Sequence, residues 1–73
     1  MHLRNVSGRA AIRAFERLGF VFDHQTGSHV VLYRRYPPGR ASIPDHAVVK
    51  AGTLAGILRA AKVSREEFLR VLR

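Results

Sequence analysis

Apolar residues recur at helical spacing near both ends of this chain, and between them they alternate. Ala11, Ala14, Phe15 and Leu18 stand three and four apart, while Arg9, Arg13, Glu16 and Arg17 fall mostly elsewhere, so a helix is predicted from Gly8 to about Leu18. Ser7 is placed to cap its start and Gly19 to end it in the left-handed conformation. Leu54, Ile57, Leu58 and Ala61 match the i, i+3, i+4, i+7 template of a second helix that begins between Lys50 and Thr53. Ser64-Arg65-Glu66-Glu67 reads as a capping box that starts a third helix, with Phe68, Val71 and Leu72 as its apolar stripe.

The alternating stretch predicts three strands. Phe20 to Gln25 is the first, with Phe20 and Phe22 on one face. The turn Thr26-Gly27-Ser28 leads into His29 to Arg35, where Val30 and Leu32 form an apolar face and His29, Val31, Tyr33 and Arg35 point the other way. Pro37-Pro38-Gly39 is turn punctuation before a short third strand, Arg40 to Ile43, closed by Pro44. Met1 to Val6 reads as a lead-in and Asp45 to Val49 as a connector. The order helix, strand, strand, strand, helix, helix gives an α+β two-layer sandwich, one domain over residues 1–73. Helices on the face of Phe20, Phe22, Val30, Leu32, Ala41 and Ile43 would leave His29, Tyr33, Arg35 and Arg40 on an open face.

Composition narrows the class of partner. Thirteen Lys and Arg against five Asp and Glu give a formal charge of +8, and all but Lys50 and Lys62 of the thirteen are arginine. Arginine forks around phosphate oxygens, so a phosphate-bearing polyanion or an acidic protein is expected to bind. With no cysteine among 73 residues, disulfides and thiolate zinc sites are excluded. No apolar run is long enough to span a bilayer and no signal-peptide core opens the chain, so no membrane association is expected and the cytoplasm is the expected compartment.

The candidate chemistry centres on His29, at the mouth of a hairpin that would fix its direction. Cleavage of an RNA strand by its own 2′-hydroxyl needs a base, an acid for the leaving 5′-oxygen, and cations for the phosphorane charge. An imidazole serves as base or acid, with no metal required. Arg35, Arg40 and Tyr33 would share its face, and His46, past the third strand, is the second histidine within plausible reach. Arg34, Lys50 and Lys62 offer further phosphate contacts, which predicts salt-sensitive binding. A metal site from His24, His29, Asp45 and His46 matches no helical ligand spacing, and Ser28 lacks the strand-to-helix elbow of a hydrolase nucleophile, so neither is expected. The same basic face also suits a non-catalytic RNA-binding module, or a scaffold that binds an acidic protein.

Gly27-Ser28-His29, Ile43-Pro44-Asp45-His46, Lys50-Ala51-Gly52-Thr53-Leu54 and Ile57-Leu58-Arg59, in this order and spacing, resemble the HicA family, the YcfA-like mRNA interferases. The likeness runs from Ser7-Gly8 to Glu66-Glu67-Phe68-Leu69. It implies a double-stranded-RNA-binding-domain-like fold, α-β-β-β-α, here with a short extra C-terminal helix. It also implies the toxin of a type II toxin–antitoxin pair that cleaves mRNA and is blocked by a HicB-type antitoxin. By the same resemblance His29 is the catalytic histidine, Gly27 and Ser28 form the shaping turn, and His46 matches a histidine common after the third strand. The chain departs from the family at Val30, where many members carry a second histidine, and at Lys62, where glycine is frequent. Covering His29 is the simplest way for an antitoxin to block it.

Overall fold

The computed structural model describes residues 3–72, so Met1 and His2 of the expected lead-in, and Arg73, lie outside the described residues. The elements are α1 (Gly8–Arg17), β1 (Val21–Thr26), β2 (His29–Arg34), β3 (Gly39–Pro44), α2 (Ala51–Ala61) and α3 (Arg65–Val71). The strands form one antiparallel sheet in the order β1-β2-β3. This is the expected α+β arrangement, α-β-β-β-α followed by a short helix.

Each helix starts or stops where its local chemistry directs. Ser7 Oγ accepts from the Ala10 N–H at 3.0 Å, and Gly19, at φ +95°, follows the last turn of α1. At the end of α2, Lys62 is left-handed (φ 60°, ψ 40°), and its N–H donates to Arg59 O while the Val63 N–H donates to Leu58 O. That is a Schellman closure built with lysine where glycine is usual. Before α3, Ser64 Oγ accepts from the Glu67 N–H at 3.1 Å and Glu67 Oε1 accepts from the Ser64 N–H at 3.0 Å, a complete capping box. Hydrogen bonds with Ser64, its backbone N–H first, hold the Glu67 carboxyl below its ordinary pKa.

The core lies between the helices and one face of β2 and β3. Phe15, Phe68, Leu32, Ile43, Leu54 and Val49 are its largest fully buried side chains. Phe15 sits edge-on to Phe20 at 5.0 Å between ring centroids and tilted against Phe68 at 5.6 Å, so α1 and α3 close over the same aromatic cluster.

Three sequence expectations need correction. Phe22, expected in the core, is 57% exposed, and every residue of β1 is exposed. Its register opposite Leu32 puts it on the helix side, but α1 and α2 pack on β3, so the β1 edge extends past their cover. A bulge between Phe22 and His24 further breaks the alternation of β1. The lead-in is structural: Leu3 and Val6 are buried, and Val6 pairs with Val49 of the connector in an isolated bridge. Val31 is 8% exposed although it belongs to the face opposite the main core, because His24 and Ser42 flank it across the strands.

Candidate functional site

The hairpin between β1 and β2 sets the position of His29. Gly27 and Ser28 form a two-residue loop between the paired residues Thr26 and His29, and Gly27 takes φ +58°. Positive φ at the first of two loop residues is the habit of a type II′ turn, whose twist suits the flanking strands. His29 is exposed, and it pairs with Pro44 at the end of β3. The pairing continues one step past β3, with the Asp45 N–H donating to Ser28 O at 2.7 Å.

The chain then turns so that the connector lies beside His29. The Gly8 N–H donates to His46 O at 2.8 Å and the Val49 N–H to Val6 O at 2.7 Å, tying the connector to the N-terminal segment at both ends. Gly8 has no side chain to hold the two apart, and a Cβ there would overlap the Pro44 carbonyl oxygen. Arg9 Nε reaches Asp45 Oδ1 at 3.2 Å, an exposed pair worth little by itself. The outcome is a surface pocket of about 330 Å³ lined by His29, Pro44, His46, Val48, Val49, Lys50 and Thr53. His46 Nε2 lies 3.5 Å from Ser28 Oγ, at the outer limit of a hydrogen bond.

The electrostatics of this pocket favour an anion. Lys50 and Thr53 bring the start of α2 into its wall, and α2 has no side-chain cap and no acidic residue in its first turn. Its first N–H groups therefore add their partial positive charge to the Lys50 ammonium. Two imidazoles and an ammonium around one cleft can exchange protons with a phosphodiester and balance its charge.

The remaining expected site residues lie elsewhere. Tyr33 is on the face of His29 but four residues along β2, about 13 Å away at roughly 3.3 Å per residue. Arg35 follows the end of β2, about 20 Å from His29 by the same rise. Arg40 pairs with Tyr33 and reaches across β2, where its guanidinium donates to Asp23 Oδ2 at 2.9 Å. Arg34 is held by the scaffold: Nε donates to Pro37 O at 2.8 Å, a terminal nitrogen to Leu18 O at 2.9 Å, and its guanidinium stands 4.5 Å over the Phe20 ring. The cation beside His29 is Lys50.

Two groupings escaped the sequence reading. Pro44, Val48 and Thr53 wall the His29 pocket: Pro44 arrives as the partner of His29 across the β2–β3 ladder, and the long-range Val6–Val49 pairing holds the connector beside it. On the open face, His24 Nδ1 lies 2.9 Å from the same Asp23 Oδ2 that Arg40 contacts. The hydrogen bond with His24 foremost, helped by that with Arg40, keeps the Asp23 carboxyl below its ordinary pKa against an opposing desolvation. No periodicity signals a bulge, and the bulge is what sets Asp23 and His24 side by side here. Among the described residues, no three His, Cys, Asp or Glu side chains converge as metal ligands.

The family described as HicA toxin of bacterial toxin-antitoxin matches residues 8–63, from the first residue of α1 to just past α2. The chain belongs to the HicA toxin family. Its role is thus that of a toxin in a toxin–antitoxin system, and the matched segment contains the whole His29 pocket. The third helix lies outside the match. Comparison with curated proteins yields no match. Among the described residues of this HicA chain, no helix is long and apolar enough to cross a membrane.

Proposed function

We propose that this HicA chain is a metal-independent endoribonuclease that cleaves mRNA in the pocket of His29. The observation that carries the reading is the meeting of an exposed, hairpin-fixed imidazole with a second imidazole and an ammonium in one cleft of a strongly basic toxin. In the reaction one imidazole accepts the 2′-hydroxyl proton as that oxygen attacks the adjacent phosphorus. The other, protonated, donates to the 5′-oxygen as its bond to phosphorus breaks. His29 takes one of these roles, with His46 as its support. Lys50 stabilises the charge gathered on the non-bridging oxygens.

Arg35, Arg40 and Tyr33 serve the strand away from the reacting phosphate, at 13 Å or more along the sheet by the estimate of about 3.3 Å per residue. Arg34 adds positive potential, with Nε and one terminal nitrogen already engaged by backbone carbonyls. A HicB-type antitoxin blocks the reaction by covering His29, with acidic groups matched to the basic rim.

The test is incubation of purified, antitoxin-free protein with RNA in the presence of chelator. Strand scission is expected, with a bell-shaped dependence of rate on pH, and His29→Ala is expected to lower the rate by about 10²–10⁴-fold with its circular dichroism unchanged. A His29→Ala chain that cuts at the wild-type rate refutes the assignment. Tight RNA binding without scission by the wild type identifies a non-catalytic binding module instead.

A further inference from the structure

A second hollow, of about 460 Å³, lies at the far end of β2 from His29 and exceeds the His29 pocket in volume. Gly19, Val21, Tyr33, Arg34, Arg35 and Tyr36 line it. Its volume falls within the range of small-ligand sites. Tyr36 is 89% exposed, so its ring contributes almost nothing to the core. Arg35 makes no side-chain hydrogen bond or ion pair among the described residues, whereas Arg34, pinned to Leu18 O and Pro37 O, gives the hollow a fixed wall. Val21, half exposed, supplies an apolar surface beside the two phenol rings.

We infer that this hollow is a stacking subsite for one unpaired base of a single-stranded RNA that has a phosphate at His29. Aromatic rings and guanidinium planes hold unstacked bases by their faces, and two tyrosines with a free arginine provide both kinds of surface. Placement favours RNA over a protein side chain. Tyr33 and His29 occupy one face of β2, two alternations apart, so a strand laid along that face meets both. The carboxylate of Asp23, on the neighbouring strand, is paired with Arg40 and His24. The interval of about 13–20 Å corresponds to no more than about six nucleotides at about 3.4 Å each. The inference rests on RNA being the ligand of this face, but not on the cleavage chemistry.

The experiment measures anisotropy of labelled single-stranded RNAs, from about three to about twelve nucleotides, on full-length protein carrying His29→Ala to prevent cutting. A step in affinity of about tenfold is expected once the strand spans both pockets. Tyr36→Ala removes that step, Tyr36→Phe retains it, and a long strand without bases binds like a short one. Equal binding of long RNA by Tyr36→Ala and its parent overturns the inference, as does undiminished binding of the baseless strand. So does a Tyr36→Ala chain that loses only its antitoxin, which would make the hollow a protein contact. A Tyr36-dependent step in a protein whose wild type never cuts RNA keeps the subsite and removes the nuclease. Scission without the step does the reverse.

Discussion

Replacing Gly8 by alanine tests how α1 and the His29 pocket are joined. A Cβ at Gly8 would overlap the Pro44 carbonyl oxygen and stand 2.9 Å from Asp45 Cα and 3.0 Å from His46 N. All three neighbours are backbone atoms, so no rotamer change relieves the overlap, and the β3–connector junction or the start of α1 must move. Overpacking of this kind costs about 1–3 kcal/mol. Alanine in a helix returns at most about 1 kcal/mol relative to glycine. The net expectation is a loss of about 1–2 kcal/mol, and each kcal/mol lowers Tm by about 4–8 °C in a domain of this size. Gly56, inside α2 with nothing within 4 Å of its would-be Cβ, is the matched control. There the same substitution should raise stability by about 0.5–1 kcal/mol. Thermal unfolding followed by circular dichroism reads both. Shifts of the same sign, or a Gly8→Ala chain as stable as wild type, would refute the close-approach argument. Because Pro44 and His46 line the pocket, RNA cleavage by Gly8→Ala should also fall well below its Tm.

Other perturbations have equally definite signs. Lys62→Gly should stabilise the fold by about 0.5–1 kcal/mol by relieving a left-handed lysine, net of the larger freedom of glycine in the unfolded chain; an unchanged or lower Tm contradicts the Schellman assignment. Arg34→Lys keeps the charge but loses the fork to Leu18 O and Pro37 O, so it should cost about 1–2 kcal/mol in chemical denaturation while RNA affinity changes little. The reverse outcome would make Arg34 a phosphate ligand. Asp23 and Glu67 have folded pKa values below their ordinary 3.8 and 4.5, so the folded state favours their ionised forms. Their contribution is complete above those ordinary values and disappears as pH falls through the folded ones. Tm should therefore hold steady above about pH 5 and fall below it, and Glu67→Gln should soften the fall.

Local chemistry made much of the fold legible. Ser7, Gly19 and the Ser64–Glu67 box mark helix ends through interactions within four residues, and the faces of Val30 and Leu32 follow from the pleat. The hairpin at Gly27-Ser28 is equally local. What escaped depends on distance in sequence. Phe22 has the pattern of a core residue, and only the span of the helices over β2 and β3 leaves it uncovered. The pairing of Val6 with Val49, 43 residues apart, gives the lead-in its buried role and brings Lys50 to His29. Arg34 and Arg35 are adjacent and chemically identical, yet carbonyls from Leu18 and Pro37 fix only the first. The same limit applies to the candidate site: the Gly-Ser-His turn is readable, whereas the placement of His24 beside Asp23 on the open face depends on the bulge in β1.

That bulge also bears on self-association. A three-stranded sheet offers unpaired amide groups along both outer strands, where a neighbouring copy could add itself and begin a fibril. The irregular step at Phe22–His24 interrupts one such row, and Pro44, which has no amide hydrogen, closes the other. Copies of so cationic a chain would meet across misaligned borders under mutual repulsion, and both effects oppose edge-to-edge pairing of its half-uncovered β-sheet.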